Sequence, residues 1–438
     1  MSLDAFLKRT LYWTQDFFRG KKVRKHFLEL KKVLKDERVG KEIQKKKLNE
    51  LLDYATSFSV FYKQYKGKSL SEFPITNKNI LVENKDIVAV PFQYIPEQET
   101  REIHIQKTSG STGTPFSVLQ DSRKRHRRVA ELKYWGESVG FKSHERLAQC
   151  RIWTKWQAKS KKQAFWENIF PINVSKMDDA TIAELCETIR KNKIVSIRAY
   201  ASWYDKLVEY FEMGKGNPMD LKTIKVAISS SEALNERTRN KMLELVGVPI
   251  VECYADEEGG ILAHQKLHDT NYYLNHASYF FEFLKLDSDE PADYGELARI
   301  VFTDLYNYAF PLIRYDTGDT GILEKNDESN YWDYMSKLYG RKLDLVYNEM
   351  GEPIHPMNFA RVLKNIEGIH QWQFIQKGKK EYIIKLNTDN KLDKEYVISA
   401  IKEIIGKNTI LTLEMVEEIP VLASGKRKSV ICEWKKDD

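Results

Sequence analysis

The chain has 438 residues, of which 42% are hydrophobic and 30% are charged. This balance excludes a wholly disordered chain, a collagen and a coiled coil, and the length predicts two to three domains with a large core. The four cysteines are scattered and form no Cys-x-x-Cys pair, which argues against a disulfide scaffold or a ribbon-type zinc site. We therefore expect a reducing, cytoplasmic compartment.

No apolar run approaches the roughly 20 residues that span a bilayer, and the N-terminus lacks the apolar core of a signal peptide.

Charge is unevenly distributed along the chain. The formal net charge is +7, but residues 1–50 alone contain 15 Lys and Arg against 7 Asp and Glu, which gives that segment a net charge of +8. The remaining residues therefore carry a net charge of −1. A nearly neutral protein with one basic segment gives little support for nucleic-acid binding, and we predict no nucleic-acid partner.

Residues 1–70 are predicted to form a basic helical N-terminal segment. Its apolar side chains recur near helical spacing, at Leu3, Phe6, Leu7, Leu11, Trp13, Phe17 and Phe18. Two interpretations are open. In the favoured one, a helix packs this stripe on the core and leaves its basic face in solvent. In the other, the helix lies on anionic lipid and places the protein peripherally at the inner membrane.

Residues 71–339 are predicted to form a large α/β domain. Pro74 ends the N-terminal helical pattern, and Thr76 or Asn77 is predicted to cap a short helix at 78–84. Strands are predicted at 194–198, 224–228, 249–253, 279–286 and 296–302, and helices near 122–139, 178–192, 202–213 and 235–246. This alternation favours α/β layers with a partly parallel sheet.

Residues 340–438 are predicted to form a separate, small α+β domain. The pattern there indicates helices at 356–366 and 394–405, with strands at 371–376, 381–386 and 410–416. About a hundred residues is a typical size for an independent domain.

The most informative stretch is rich in glycine and hydroxyl residues. It reads Thr108, Ser109, Gly110, Ser111, Thr112, Gly113, Thr114 and Pro115. The glycines let the backbone turn tightly against a ligand, and the hydroxyl and N–H groups can surround phosphate oxygens. It is not a Walker loop, because no Gly-Lys-Ser/Thr follows. An ordinary surface turn is the alternative when the stretch is taken alone.

Four further stretches follow in order, at residues 253–258, 311–319, 340–344 and 420–426. Together with the loop they resemble the core motifs of the adenylate-forming superfamily, which includes acyl-CoA synthetases, adenylation domains and luciferases. Residues 73–81 and 351–356 are similar to segments of the phenylacetate–CoA ligase family, with the capsular polysaccharide biosynthesis (CapK-like) branch closest. The resemblance spans residues 70–430.

The resemblance implies an α/β adenylate-forming fold. A large multi-layer domain at 71–339 would bind ATP and substrate, and a small mobile domain at 340–438 would carry a catalytic lysine. The implied reaction joins a carboxylic acid to AMP with release of pyrophosphate, and then transfers the acyl group to coenzyme A. ATP and Mg²⁺ are the implied cofactors, with coenzyme A as co-substrate.

The resemblance also assigns roles within the larger domain. Thr108 and the residues from Ser109 to Gly113 would hold the β- and γ-phosphates of ATP. Glu258 would bind Mg²⁺, an ion that suits a hard carboxylate ligand and retains water and phosphate oxygens. Tyr254 would lie against the adenine, for which the alternative is a half-buried tyrosine at a strand end.

Five more residues complete the implied site. Asp319 would accept hydrogen bonds from the ribose hydroxyls, Arg341 would contact the nucleotide near the hinge, and Lys426 would stabilise the transition state of adenylation. Ser231 and Glu232 resemble a segment beside the adenine. Each of three assignments has an ordinary structural alternative. Asp319 could belong to a turn at 316–319, Ser231 and Glu232 to a helix cap, and Lys426 to a solvated basic tail at 426–428.

Two other functions compete with the coenzyme A ligase. An enzyme with the same adenylation step could transfer the acyl or aminoacyl group directly to a sugar amine or hydroxyl. A degenerate nucleotide-binding or scaffold protein is favoured by Ala255, by Leu343 and by the missing glycine before Glu232. The joint presence of the implied catalytic set opposes that second alternative. We leave the acid and the oligomeric state open, with a dimer as one expectation.

Two clusters carry weaker signals. The basic run at 123–128 cannot face one way on a helix, so we predict that most of it is solvated. His264, His268 and His276 have irregular spacing, and we predict three unlinked surface histidines rather than a metal site.

Overall fold

A computed structural model describes most of the chain. The described residues are 2–96, 103–107, 117–151, 153, 159–174, 178–328, 330–341, 346–351, 353–354, 358–359, 362–363, 366, 368–388, 392–420 and 429–434, without the side chains of 340, 341 and 353. The predicted phosphate loop and Lys426 therefore lie outside the described residues, as does most of the helix predicted at 356–366.

Helices dominate the first third of the described chain and alternate with strands after it. The α-helices are α1 (Leu3–Phe18), α2 (Lys22–Lys35), α3 (Glu37–Phe58), α4 (Lys78–Glu83), α5 (Lys85–Val88), α6 (Ser122–Ser138), α7 (Lys161–Glu167), α8 (Asp179–Asn192), α9 (Ala201–Glu212), α10 (Glu236–Val246) and α11 (Lys394–Ile405). Short 3₁₀ turns lie at Lys63–Tyr65, Leu70–Glu72, Phe92–Tyr94 and Pro218–Leu221. The cap predicted for the short helix after Pro74 is confirmed, since the Asn77 side chain accepts a hydrogen bond from Ile80 N.

The strands fall into two main groups. Those before residue 342 are β1 (His104–Lys107), β2 (Ser117–Gln120), β3 (Leu147–Arg151), β4 (Ile169–Asn173), β5 (Ser196–Tyr200), β6 (Val226–Ser230), β7 (Ile250–Ala255), β8 (Ile261–Gln265), β9 (Tyr272–Leu274), β10 (Tyr279–Leu284), β11 (Leu297–Asp304), β12 (Tyr315–Glu324) and β13 (Tyr334–Arg341). The later strands are β14 (Val346–Tyr347), β15 (Pro353–Ile354), β16 (Ile369–Gly378), β17 (Glu381–Thr388), β18 (Ile410–Met415) and β19 (Val430–Cys432).

One large mixed sheet organises the described part of the chain before residue 342. Its strand order is β10-β11-β12-β13-β9-β8-β7-β6-β5-β3-β4. Strands β4, β3, β5, β6 and β7 pair in parallel, while β7, β8 and β9 pair antiparallel. The predicted α/β class is confirmed. The carboxyl ends of the parallel strands meet at one edge, where sheets of this class usually bind ligands.

Helices cover both faces of the parallel part of this sheet. In β6, Ala227 packs with the buried side chains of α8, α9 and α10. Its neighbours Val226 and Ile228 belong to a separate cluster with Val139, which follows α6. Because successive side chains of a strand point to opposite faces, α6 lies on the face opposite α8, α9 and α10.

The described chain separates into two compact units. The larger contains residues 1–317 and 321–338, and the smaller contains residues 318–320 and 339–438. In the smaller unit, β16, β17, β18 and β19 form a sheet of order β18-β17-β16-β19. The apolar face of α11 shares a core cluster with strand residues such as Phe374 and Ile384.

The prediction that most of the basic run at 123–128 is solvated is wrong for two of its six side chains, while the other four are partly exposed. Lys124 and Arg127 are fully buried on α6. The Lys124 ammonium lies 2.6 Å from the Asp304 carboxylate, which is also fully buried. It donates a second bond to the hydroxyl of Tyr279 at 3.2 Å. Burying these cations is tolerable because each has an acidic or hydroxyl partner.

Arg127 ties α6 to two other parts of the larger unit. Its guanidinium donates to Glu29 Oε1 on α2 at 3.0 Å, to the Ala277 carbonyl at 2.6 Å and to the Ser278 hydroxyl at 2.8 Å. The Ser278 hydroxyl in turn donates to Glu131 at 2.6 Å. Burial raises the pKa of Glu131, and the positive charges of Lys124 and Arg127 oppose that rise.

Arg314 fixes the segment that precedes the predicted phosphate loop. Its guanidinium forms a two-pronged ion pair with Glu282, at 2.9 and 3.1 Å. It also donates to the carbonyls of Ser71 and Phe73, at 3.1 and 2.9 Å. The arginine of the 311–319 motif therefore stabilises the fold and anchors the chain around Thr76.

We predict that replacing Lys124 by Met lowers the free energy of unfolding by about 3–5 kcal/mol, because Asp304 would keep a buried charge with no cation. Urea unfolding followed by circular dichroism measures this loss. The control is Lys45→Met, an exposed position on α3 where the change should stay within about 0.5 kcal/mol. Equal stabilities of the two variants would contradict a structural role for the buried pair.

Candidate active site

A tight turn follows β7 at the carboxyl edge of the sheet. The Asp256 carboxylate closes it by accepting hydrogen bonds from Gly259 N at 2.6 Å and Gly260 N at 3.0 Å. Gly260 has a φ of +126°, a conformation that glycine adopts without steric cost. A Cβ on Gly259 would lie 2.9 Å from the Asp256 carboxylate, so the turn requires glycine there as well.

This turn is tied to the hairpin that carries the predicted phosphate loop. Strands β1 and β2 pair antiparallel, and residues 108–116 connect them in sequence. Gln106 on β1 donates to the Glu257 carboxylate at 2.6 Å, and Gln120 on β2 donates to the Glu258 carbonyl at 3.1 Å. Arg128 of α6 donates to the Glu257 carbonyl at 3.0 Å. Both strands of the hairpin are therefore held against the turn.

Two carboxylates lie close together in the turn. The Glu258 side chain is buried, and Asp256 Oδ2 has no hydrogen-bond partner among the described residues. Burial raises the pKa of Asp256, and the negative charge of Glu258 raises it further. The oxygens of these two carboxylates are hard donors, which is the type of ligand that Mg²⁺ prefers.

No group of three or more His, Cys, Asp or Glu side chains is placed to hold a metal within the described residues. The prediction of three surface histidines is wrong for two of them, however. His264 is buried with its ring stacked on Trp135, and His276 stacks on Trp332 with ring centroids 4.1 Å apart. Burial lowers the pKa of His264 to about 4 and that of His276 to about 3, so both rings are neutral.

Tyr254 lies at the end of β7 and is buried in the main core cluster. It pairs in register with Ala263 of β8. Its position next to the Asp256 turn agrees with a place beside the site, while its role against adenine stays a prediction.

Ser231 and Glu232 follow β6 at the same sheet edge. Ser231 has a φ of +74°, in the left-handed region that a non-glycine residue adopts at a cost of about 1–3 kcal/mol. The Glu232 carboxylate accepts a hydrogen bond from Ser202 N, in the first turn of α9, at 2.9 Å. Glu232 therefore binds the N-terminus of a helix far from it in sequence, while Asn235 caps α10, the helix that follows it. The proposed nucleotide contact of Glu232 stays a prediction.

Polar side chains on the parallel strands were missed by the sequence reasoning. Gln149 of β3 and Arg198 of β5 are directly opposite each other in the parallel pairing. Burial raises the pKa of the Cys253 thiol, and the positive charge of Arg198 opposes that rise. Gln149 Oε1 and Arg151 Nε have no hydrogen-bond partner within the described ranges. The sequence feature that could have revealed these polar side chains is Arg198, a charged residue in the mostly apolar strand predicted at 194–198.

The remaining predicted residues group with the smaller unit. Asp319 lies within β12, so the alternative that residues 316–319 form an isolated turn is wrong, although Gly318 has a φ of +76°. Arg341 is the last residue of β13, and its side chain is outside the described part. The roles of Asp319, Arg341 and Lys426 therefore stay predictions.

Solved structures with similar folds are adenylate-forming ligases. A 2-hydroxyisobutyryl-CoA ligase in complex with an acyl-AMP matches with a TM-score of 0.72 and 15% identity, covering 91% of this chain and 90% of the ligase. ATP-bound MatB from Rhodopseudomonas palustris matches with a TM-score of 0.58 and 13% identity, covering 74% of this chain and 66% of MatB. The chain therefore has the adenylate-forming fold, as its motifs predicted.

The particular branch is indicated by two further comparisons. Residues 346–433 match the family model of the CapK C-terminal domain. Protein CapK of Staphylococcus aureus is 24% identical over 433 residues, covering 94% of each chain. The predicted resemblance to the CapK-like branch of the adenylate-forming superfamily is confirmed.

We predict that Ser231 tolerates Gly but not Val. Ser231→Gly should change the free energy of unfolding by less than about 1 kcal/mol, because two effects oppose each other. Glycine adopts the positive φ without strain, which stabilises the folded state, but it also gives the unfolded chain more conformational entropy, which stabilises the unfolded state. Ser231→Val should lower it by about 1–3 kcal/mol. Urea titration measures both, with Ser230→Val on the adjacent strand residue as control. Equal stability of Ser231→Val and wild type would disprove strain at this position.

Proposed function

We propose that the chain is an ATP-dependent carboxylate-activating ligase of the phenylacetate–CoA ligase type. The observation that carries the proposal is the hairpin β1–β2 held against the Asp256–Gly260 turn at the carboxyl edge of this fold. That arrangement places the hairpin that carries a Ser- and Gly-rich loop in its sequence next to the turn that contains Asp256 and Glu258. A site for a polyphosphate needs this combination of N–H donors and acidic cation ligands.

In the proposed first step, a carboxylate oxygen of the acid attacks the α-phosphorus of ATP. The bond from that phosphorus to the bridging oxygen breaks, and pyrophosphate leaves with the bonding electrons. The loop from Ser109 to Gly113, together with Thr108, would bind the β- and γ-phosphates. Lys426 would place its ammonium against the carboxylate and α-phosphate oxygens, where negative charge builds up. Positioning and charge stabilisation are the main requirements of such a transfer.

The nucleotide would be oriented by residues from several elements. Tyr254 would lie against the adenine beside Ser231 and Glu232, Asp319 would accept bonds from the ribose hydroxyls, and Arg341 would contact the nucleotide. In the second step the coenzyme A sulfur attacks the acyl carbon, and AMP leaves. Support comes from the relatives' ligands, since the 2-hydroxyisobutyryl-CoA ligase has been solved with an acyl-AMP and CoA.

Mg²⁺ fits the turn after β7. Glu258 would hold the ion beside Asp256, whose Oδ2 has no hydrogen-bond partner among the described residues and whose pKa is raised by burial and by the negative charge of Glu258. When bound, Mg²⁺ supplies positive charge to the phosphate oxygens. One or two carboxylates are enough, because Mg²⁺ usually keeps several waters and the phosphates as its other ligands.

A role in surface polysaccharide biosynthesis is part of the proposal. The similarity to Protein CapK over almost the whole chain supports this role, and it leaves two acceptors to compare: coenzyme A and a sugar amine or hydroxyl.

The acid would enter at the strand ends near Gln149 and Arg198, where polar groups lack partners. Assaying pyrophosphate release with a panel of acids, and then adding coenzyme A or amino sugars, tests both steps.

We predict that Lys426→Ala lowers the rate of acid-dependent ATP–pyrophosphate exchange by at least about 100-fold, because the transition state loses a positioned cation. ATP binding, measured by calorimetry, should be largely retained. Lys428→Ala is the matched control in the same basic stretch and should keep near wild-type exchange. Wild-type exchange by Lys426→Ala would remove this lysine from the mechanism, and no exchange by the wild-type protein with any acid would contradict the proposed function.

We predict that Glu258→Gln raises the Mg²⁺ concentration needed for half-maximal exchange by about 10-fold or more, because a charged ligand becomes neutral. Titration of Mg²⁺ after treatment with a chelator measures the shift. Glu257→Gln, whose side chain bonds Gln106 in the same turn, is the control. An equal Mg²⁺ requirement in the two variants would argue against Glu258 as the ligand.

A further inference from the structure

Helix α1 turns its apolar side chains towards solvent. The exposed residues are Leu3, Phe6, Leu7, Leu11, Phe17 and Phe18, with 74% of Leu3 and 81% of Phe18 accessible. At 3.6 residues per turn these six fall within about 140° of the helix circumference. The favoured sequence interpretation, in which this stripe packs on the core, is therefore wrong. We call this stripe of six residues the α1 face.

The opposite side of α1 attaches to the protein through polar contacts. Lys8 is buried and donates to Asn168 Oδ1 at 2.6 Å and to the Phe165 carbonyl at 2.8 Å. Asp16 is also buried and accepts from Val23 N and Arg24 N, both at 2.9 Å, which caps α2. Apolar contacts add to this attachment, since Ala5 is buried and Trp13 packs with the cluster around Phe27. Because these contacts fix its orientation, α1 cannot rotate to hide the α1 face.

Exposed positive charge lies at the C-terminal end of the α1 face, at Arg19, Lys21 and Lys22. Residues 1–35 contain ten Lys and Arg against three acids. All three acids are engaged within the protein: Asp4 pairs with Lys8, Asp16 caps α2, and Glu29 pairs with Arg127. Lys21 shows the proximity directly, since its ammonium lies 4.8 Å from the centre of the Phe17 ring.

We propose that the α1 face docks on the surface of an anionic lipid bilayer. A contiguous apolar stripe with basic neighbours is the pattern of an interfacial helix, in which the side chains enter the boundary of the acyl chains and the cations meet anionic headgroups. A second copy of the chain is a poorer occupant. In a twofold dimer each face meets itself, so its basic surroundings would meet like charge.

Peripheral docking is compatible with the rest of the chain. Within the described residues, no helix is long and apolar enough to cross a membrane. None of the α1 face belongs to the candidate active site, so the inference stands independently of the proposed function.

The test is co-sedimentation of the full-length protein with vesicles. Wild type should bind vesicles of phosphatidylcholine and phosphatidylglycerol, release at high salt, and bind pure phosphatidylcholine weakly. The triple variant Phe6→Ser, Leu7→Ser and Leu11→Ser should reduce binding at least about 10-fold. The charge variant Lys21→Glu, Lys22→Glu and Lys25→Glu should reduce it by on the order of 100-fold, from a loss of about fivefold per cation.

A matched control replaces three exposed apolar residues elsewhere, Met213→Ser, Met219→Ser and Leu243→Ser, and should bind vesicles like wild type. Circular dichroism and thermal unfolding confirm that each variant is folded. Failure of wild type to bind anionic vesicles, or equal binding by the α1-face variant, would overturn the proposal. A concentration-dependent doubling of mass that the α1-face variant abolishes, without vesicle binding, would assign the face to a second copy instead.

Discussion

The buried guanidinium of Arg127 is the contact on which the larger unit depends. It joins α6 to Glu29 on α2 and to the backbone at Ala277, next to the buried Lys124–Asp304 pair. A buried cation holds its neighbours firmly, because any movement that separates it from its partners exposes an uncompensated charge to an apolar interior. Helix α6 is therefore fixed in both position and rotation, and the elements that contact it are held in place as well.

Helix α6 also positions the candidate site, because residues at its N-terminus and in its second turn contact parts of that site. Asp121 directly follows β2, caps α6 by accepting from Lys124 N at 2.9 Å, and accepts from Tyr308 N at 2.9 Å. One turn further along α6, Arg128 holds the Glu257 carbonyl. The hairpin and the acidic turn are thus positioned by the same helix. A rigid helix is a better support for a phosphate site than a loop alone, because the donors and the acidic ligands keep a constant separation.

The apolar runs in the sequence revealed some strands of the large sheet and not others. Strands β5, β6 and β7 were predicted within two residues at their starts, whereas β3 and β8 were missed because Gln149 and His264 break the apolar pattern. Motif order indicated the fold and the turn after β7. The burial of Lys124 and the outward α1 face could not be predicted, because periodicity shows that a helix has two faces and not which one meets the core. That choice depends on partners such as Asp304 and Asn168, which are far away in sequence.

The long reach of these contacts has a consequence for synthesis of the chain. Gln44 on α3 donates to the Tyr279 carbonyl, a residue 235 positions later. At a translation rate of about 5–20 residues per second, that partner emerges roughly 10–50 s after the helix. During this interval the apolar side of α3, which packs with Tyr279 and Phe302 in the folded protein, has no native surface to cover. That side of the helix is therefore accessible to chaperones and to other chains while the rest of the protein is being made.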